Sequence, residues 1–127
     1  MKGRRLEVIV VDKRKYKMAI NEGVKEVHVQ VHGLIREADA ENYLIDLQNT
    51  INKVVRHDYT FVIDATYQTP VPSKVLPQLE QTIQFYSTLG FKDILVVKPS
   101  SKIAQVQVRN TLERINFAGT FIDKVRH

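Results

Sequence analysis

No cysteine occurs in this chain of 127 residues. Disulfides, thiolate metal sites and a cysteine nucleophile are therefore excluded, and the absence agrees with a reducing compartment without demanding one. Glycine and proline are sparse, at five and four residues, so no segment has the composition of a linker or a low-complexity tract. The glycines form neither GxGxxG nor GxxxxGKS/T, which removes the backbone cradles that hold dinucleotides and nucleoside triphosphates. Long apolar runs are missing as well. Val8 to Val11 is preceded by Glu7 and ends at Asp12, far short of a signal-peptide core or a spanning helix. The expectation is one domain over residues 1–127, soluble and cytoplasmic, with no membrane insertion.

What is present is charge of one sign at one end. Lys2, Arg4, Arg5, Lys13, Arg14, Lys15 and Lys17 outnumber Glu7 and Asp12 by the whole net charge of +5, and the rest of the chain is balanced. Such a tip could meet phosphates or an acidic protein. No aromatic or base-reading residues interleave with Arg4, Arg5, Lys13, Arg14, Lys15 and Lys17, so a solvated hairpin turn is the preferred reading over nucleic-acid binding.

Periodicity divides the chain. Leu6 to Val11 is a β-branched run ending in the polar turn Asp12-Lys13-Arg14-Lys15, after which Tyr16, Met18 and Ile20 alternate with polar neighbours, as in an antiparallel hairpin. Asn21-Glu22-Gly23 is a further turn, and Val27, Val29 and Val31 alternate with His28, Gln30 and His32 up to Gly33, a strand buried on one side. The period then changes. Asp39 as N-cap opens a helix from Ala40 to Val55 with Leu44, Leu47, Ile51, Val54 and Val55 inward. Tyr59 to Ala65 is a strand. Leu76, Leu79, Ile83 and Tyr86 mark a second helix that stops at Gly90, and Ile94 to Val97 is a strand. Ser100 or Ser101 caps a third helix carrying Ala104, Val108, Leu112 and Ile115, Gly119 ends it, and Thr120 to Val125 closes the chain's elements. The order is β-β-β-α-β-α-β-α-β: an α/β fold with a mixed sheet, an N-terminal antiparallel hairpin and three helices mainly on one face.

From Tyr16 to Lys124 this order resembles the STAS domain of bacterial anti-sigma factor antagonists and sulfate-transporter tails. The resemblance lies in Val27-His-Val-Gln-Val-His-Gly33, Phe61-Val-Ile-Asp64, the polar loop that opens the second helix, Ile94-Leu-Val-Val97 and the serine-capped helix at Ser100-Ser101. It implies a non-enzymatic regulatory module. In the antagonists that loop carries an Asp-Ser-Ser/Thr-Gly motif whose hydroxyl is phosphorylated. Here the place reads Pro70-Val-Pro-Ser73-Lys74-Val75, with Ser73 near the modified position and the Asp and Gly absent. Residues 1–15, the extra strand and basic turn, lie outside the family pattern and could extend the sheet, cover an edge or pair with a second copy in a homodimer.

Candidate chemistry concentrates between Asp64 and Lys74. Asp64 ends its strand at the rim where α/β domains place working surfaces; a carboxylate capping the backbone of its own loop is the preferred reading. Tyr67, followed by Gln68 and Thr69, either contacts a partner or tucks under the loop. Ser73 at a helix start is a candidate phosphorylation site, and a plain N-cap is preferred. His28 and His32 stand about 13 Å apart along one strand, too far to share an ion, so they read as exposed sheet-face residues. His57 and Asp58 follow a helix, and His127 is terminal. No catalytic residue, metal or cofactor is assigned. The expected function is a protein-interaction module acting through residues 64–76, with Asp64, Tyr67, Gln68, Thr69, Ser73 and Lys74 as its surface. The alternatives are a small-molecule or lipid-binding variant with an apolar cavity beneath Tyr67, and polyanion binding through the basic hairpin.

Overall fold

A computed structural model describes residues 7–33 and 37–124. Its six strands, β1 (Glu7–Asp12), β2 (Tyr16–Asn21), β3 (Glu26–Val31), β4 (Thr60–Asp64), β5 (Asp93–Val97) and β6 (Thr120–Ile122), lie side by side in that order. The first three pair antiparallel and the rest parallel. Helices α1 (Glu37–Ile51), α2 (Leu76–Ser87) and α3 (Lys102–Arg114) bridge the parallel strands. The fold is α/β with a mixed sheet, as the periodicity predicts.

Register shows why the helices share a face. Ile20, Val27, Phe61 and Ile94 form one row across the sheet, and Met18, Val29, Ile63 and Val96 form the next. Both rows join Tyr43, Leu47 and Ile51 of α1, Ile83 and Tyr86 of α2, and Val108 and Leu112 of α3 in one core. When each parallel crossover leads to the neighbouring strand with the same hand, every helix falls on the same side. The opposite face carries Lys17, His28, Gln30 and Asp64, yet it is not wholly polar, because Ala19, Val62 and Val97 on that side are buried. Among the described residues no helix is long and apolar enough to cross a membrane.

Several expected boundaries move. Helix α1 starts at Glu37, so Asp39 sits in its first turn instead of capping it, where an acid still complements the helix dipole. The helix ends at Ile51, short of Val55. Its buried stripe is Tyr43, Leu47, Thr50 and Ile51, whereas Leu44 and Val55, assigned inward by spacing, are about half exposed. Leu6 and Val125 lie outside the described residues. Helix α3 does not run on to Gly119. It closes at Ile115 and left-handed Asn116, with the Asn116 N–H donating to the Glu113 carbonyl and the Phe117 N–H to the Leu112 carbonyl, the two bonds of a Schellman ending. Gly119 serves a different purpose: a Cβ there would collide with the Ile94 carbonyl and the Phe117 ring.

Helix α1 is tied to the hairpin. Asp46 accepts from Lys13 Nζ and from the Tyr16 hydroxyl, each at 2.7 Å, and the Thr50 hydroxyl, bonded to the Asp46 carbonyl, lies 3.5 Å from Met18 Sδ. Both hydrogen bonds hold the Asp46 carboxyl below its usual range, the Lys13 bond most strongly. Helix α2 is tied the other way, its Glu80 accepting from Arg114 of α3 at 2.8 Å.

Candidate functional site

The segment after β4 begins with a polar chain across the sheet face opposite the helices. Gln30 donates through Nε2 to Asp64 Oδ2 at 2.9 Å and pairs through Oε1 with His32 Nε2 at 2.8 Å. Asp64 Oδ1 accepts from the Thr66 N–H at 3.0 Å and from the Thr66 hydroxyl. Asp64 is thus the loop-capping carboxylate that its position suggests, with both oxygens engaged. His28 is bonded to Glu26 at 2.7 Å, so the two strand histidines are held by neighbours on their own face. Among the described residues no group of three or more His, Cys, Asp or Glu could hold a metal ion.

Beyond Asp64 the segment is held down at both ends. The Thr66 carbonyl accepts from the Ser100 N–H and hydroxyl at 3.0 and 3.2 Å, and the Tyr67 carbonyl accepts from the N–H of left-handed Gly33 at 3.2 Å. Farther on, the Gln107 side-chain amide of α3 completes both backbone bonds of buried Val71, accepting from its N–H at 2.9 Å and donating to its carbonyl at 2.8 Å. Gln107 has no sequence signature, because a glutamine on the outer part of a helix is commonplace. Tyr67 does not tuck under. Its side chain is 53% exposed and its ring stands 4.8 Å from that of His32.

Ser73 corrects the capping expectation. A 3₁₀ turn, Ser73–Val75, precedes α2, whose N-cap is Val75 with no side-chain hydrogen bond. Ser73 and Lys74 are exposed on this turn, and Pro77 sits comfortably in the first turn of α2. The cap that does form is Ser101 on α3, accepting from the Ala104 N–H at 3.2 Å.

The basic hairpin is partly neutralised from within. Lys13 is paired with Asp46, and Lys15 lies 3.7 Å from Asp39. Arg14 is exposed, and Lys17 lies on the sheet face beside Gln30. Arg4 and Arg5 fall outside the described residues.

On the helix side lies a cavity of about 680 Å³ between α1 and α2 at the carboxyl ends of β3 and β4. Ile63 and Val96 form its floor, Tyr43 and Leu44 one wall, Leu79, Ile83 and Tyr86 the other, and Gly33, Ala65 and Gln68 its end. The Tyr43 and Tyr86 hydroxyls meet inside in a hydrogen bond. Burial pushes both phenols up, Tyr86 to about 12 and Tyr43 well above the ordinary range. The mouth is rimmed by exposed Leu44 and Phe85 and by Gln78, Gln81 and Thr82. Of the expected surface residues, Asp64 and Gln68 border this space; Tyr67, Thr69, Ser73 and Lys74 do not. An apolar cavity exists, but Tyr67 is not among the residues that line it. The short period-4 spacing Tyr43-Leu47-Ile51 was the available signal for the first tyrosine.

No protein-family model, curated protein or solved structure matches this chain.

Proposed function

We propose that this chain is a non-enzymatic binding module of STAS-like build that takes an apolar small molecule between α1 and α2, with residues 64–76 as the rim of the site. The observation that carries this reading is the cavity itself. Its 680 Å³ falls in the range that small-molecule sites occupy, about 300–1,000 Å³, and its walls are mainly aliphatic and aromatic with a few polar groups. A space of this size left between packed helices costs van der Waals contact that a bound molecule restores.

The test is binding of a neutral fluorescent dye, phenylnaphthylamine, to wild type and to Ala40→Trp, which projects bulk into the cavity from the lining of α1. Saturable binding by wild type and its loss in a folded Ala40→Trp are expected. Equal binding by both would overturn the reading. Tyr67→Ala, outside the lining, should bind the dye unchanged.

A second reading, docking of a protein partner on residues 64–76, is favoured by the exposure of Tyr67, since tyrosine supplies contact area at small entropic loss. Partners lost on Tyr67→Ala and kept by Ala40→Trp would support it. Polyanion binding is disfavoured, because Asp46 and Asp39 already face two of the hairpin lysines.

A further inference from the structure

Counting protons in the Tyr43–Tyr86 pair narrows the ligand's chemistry. A phenol has one O–H to donate and lone pairs to accept. Two phenols bonded to each other use one of their two protons, whichever ring is the donor. The other proton has no acceptor among the described residues, although both side chains are buried, Tyr43 6% and Tyr86 4% exposed, and both line the cavity. The neighbouring Tyr16 does not take it up: its ring meets that of Tyr43 at 5.0 Å in a T-shaped contact, and its hydroxyl points to Asp46, to which it donates, with no hydrogen bond to either phenol of the pair. A donor is therefore left facing an apolar space, and leaving it without an acceptor is costly.

Charge limits what can accept it. Among the described residues no lysine, arginine or histidine lines the cavity, and Asp64, a carboxylate at its edge, has both oxygens held by Gln30 and Thr66. An anion entering here would lose its hydration without gaining a counter-charge from the described lining. The tyrosines stay protonated through the neutral range, so they offer O–H and not phenolate. The polar groups at the mouth, Gln78, Gln81 and Thr82, and Gln68 at the end of the cavity are likewise uncharged.

We propose that the Tyr43–Tyr86 pair is the polar anchor of the cavity and that its ligand is a neutral, largely apolar molecule carrying one hydrogen-bond-accepting oxygen, of the ketone, ester or alcohol class. The proposal rests on the cavity reading above. It selects the uncharged oxygenated form of an apolar molecule over both the plain hydrocarbon and the carboxylate.

The experiment displaces phenylnaphthylamine from the full chain with a medium-chain methyl ketone, the alkane of equal length and the carboxylate of equal length, at neutral pH. Wild type should prefer ketone to alkane by about tenfold, the worth of one ordinary hydrogen bond, and should bind the carboxylate most weakly. Tyr43→Phe/Tyr86→Phe, which removes both hydroxyls and leaves the ring shapes, should bind the dye and lose the preference. Each single variant should keep it, since the remaining hydroxyl is then free to donate to the ketone. Ketone and alkane binding equally to wild type, or the carboxylate binding best, would overturn the anchor while leaving the cavity standing. Failure of the dye to bind wild type at all would overturn the cavity and the anchor together.

Discussion

Helix α2 has a neighbour on each side and treats them differently. Toward α3 it is closed: Glu80 holds Arg114, and the segment leading into α2 is stitched to α3 by Gln107 at Val71. Toward α1 it is open, meeting it through the Tyr43–Tyr86 hydroxyls across a cavity. The anchorages explain the asymmetry. Helix α1 is drawn over the hairpin by Lys13 and Tyr16 acting on Asp46, and α2 is drawn toward α3, so the space over β3 and β4 is left between them. A helix with side chains is about 10 Å wide and strands are spaced about 4.8 Å, so three helices on one face of a sheet can be shifted sideways without exposing it everywhere. The extra hairpin, with its basic turn, is in this view a fastening for α1.

The same substitution on the two sides of α2 is the sharpest way to break this contrast. Leu112→Ala in α3, 6% exposed, should cost about 2–5 kcal/mol by leaving a void in packed core. Leu44→Ala in the cavity wall, 49% exposed, should stay within about 0.5 kcal/mol. Urea unfolding of both measures the difference; equal losses would mean that the α1 side is packed as tightly as the α3 side.

The tyrosine pair gives a smaller effect. Tyr86→Phe removes the hydrogen bond of the pair and still leaves one buried O–H without an acceptor, so it should cost about 0.5–1.5 kcal/mol, and removing both hydroxyls should return that loss in full or more. A double-mutant cycle tests this, and strictly additive losses would show that the two groups do not act on each other. Alkali acts on the same pair. An unfolded tyrosine releases its proton near 10.0, whereas folded Tyr86 holds it to about 12. The folded state thus binds more protons between those values, and stability should fall as pH rises from 10 toward 12.

Smallest is the contrast between helix starts. Ser101→Ala deletes the acceptor for the Ala104 N–H and should cost about 1 kcal/mol. Ser73→Ala, on a 3₁₀ turn without a side-chain cap, should change stability by no more than about 0.5 kcal/mol. Thermal melts of both would show whether Ser73 holds α2 after all.

Much of the fold was legible because its signals are local. Alternation at Val27, Val29 and Val31, the wider period along α2 and α3, the serine before Ala104 and the left-handed glycine at Gly90 each depend on residues a few positions apart. Asp64 was legible as a loop cap for the same reason, since Thr66 is two residues away. The α1 stripe was misjudged by one position, Leu44 for Tyr43, because adjacent apolar residues on a helix differ only in which of them the neighbouring elements cover.

What the order of residues determined by itself was the sequence of strands and helices and the side of the sheet that must be covered, since both follow from short-range periodicity and chirality. What only the tertiary structure decided was where the covering stops short. That depends on contacts between residues far apart in the chain, Lys13 with Asp46, Val71 with Gln107 and Tyr43 with Tyr86. Each partner is ordinary in its own segment, and only folding puts the pairs within hydrogen-bonding reach.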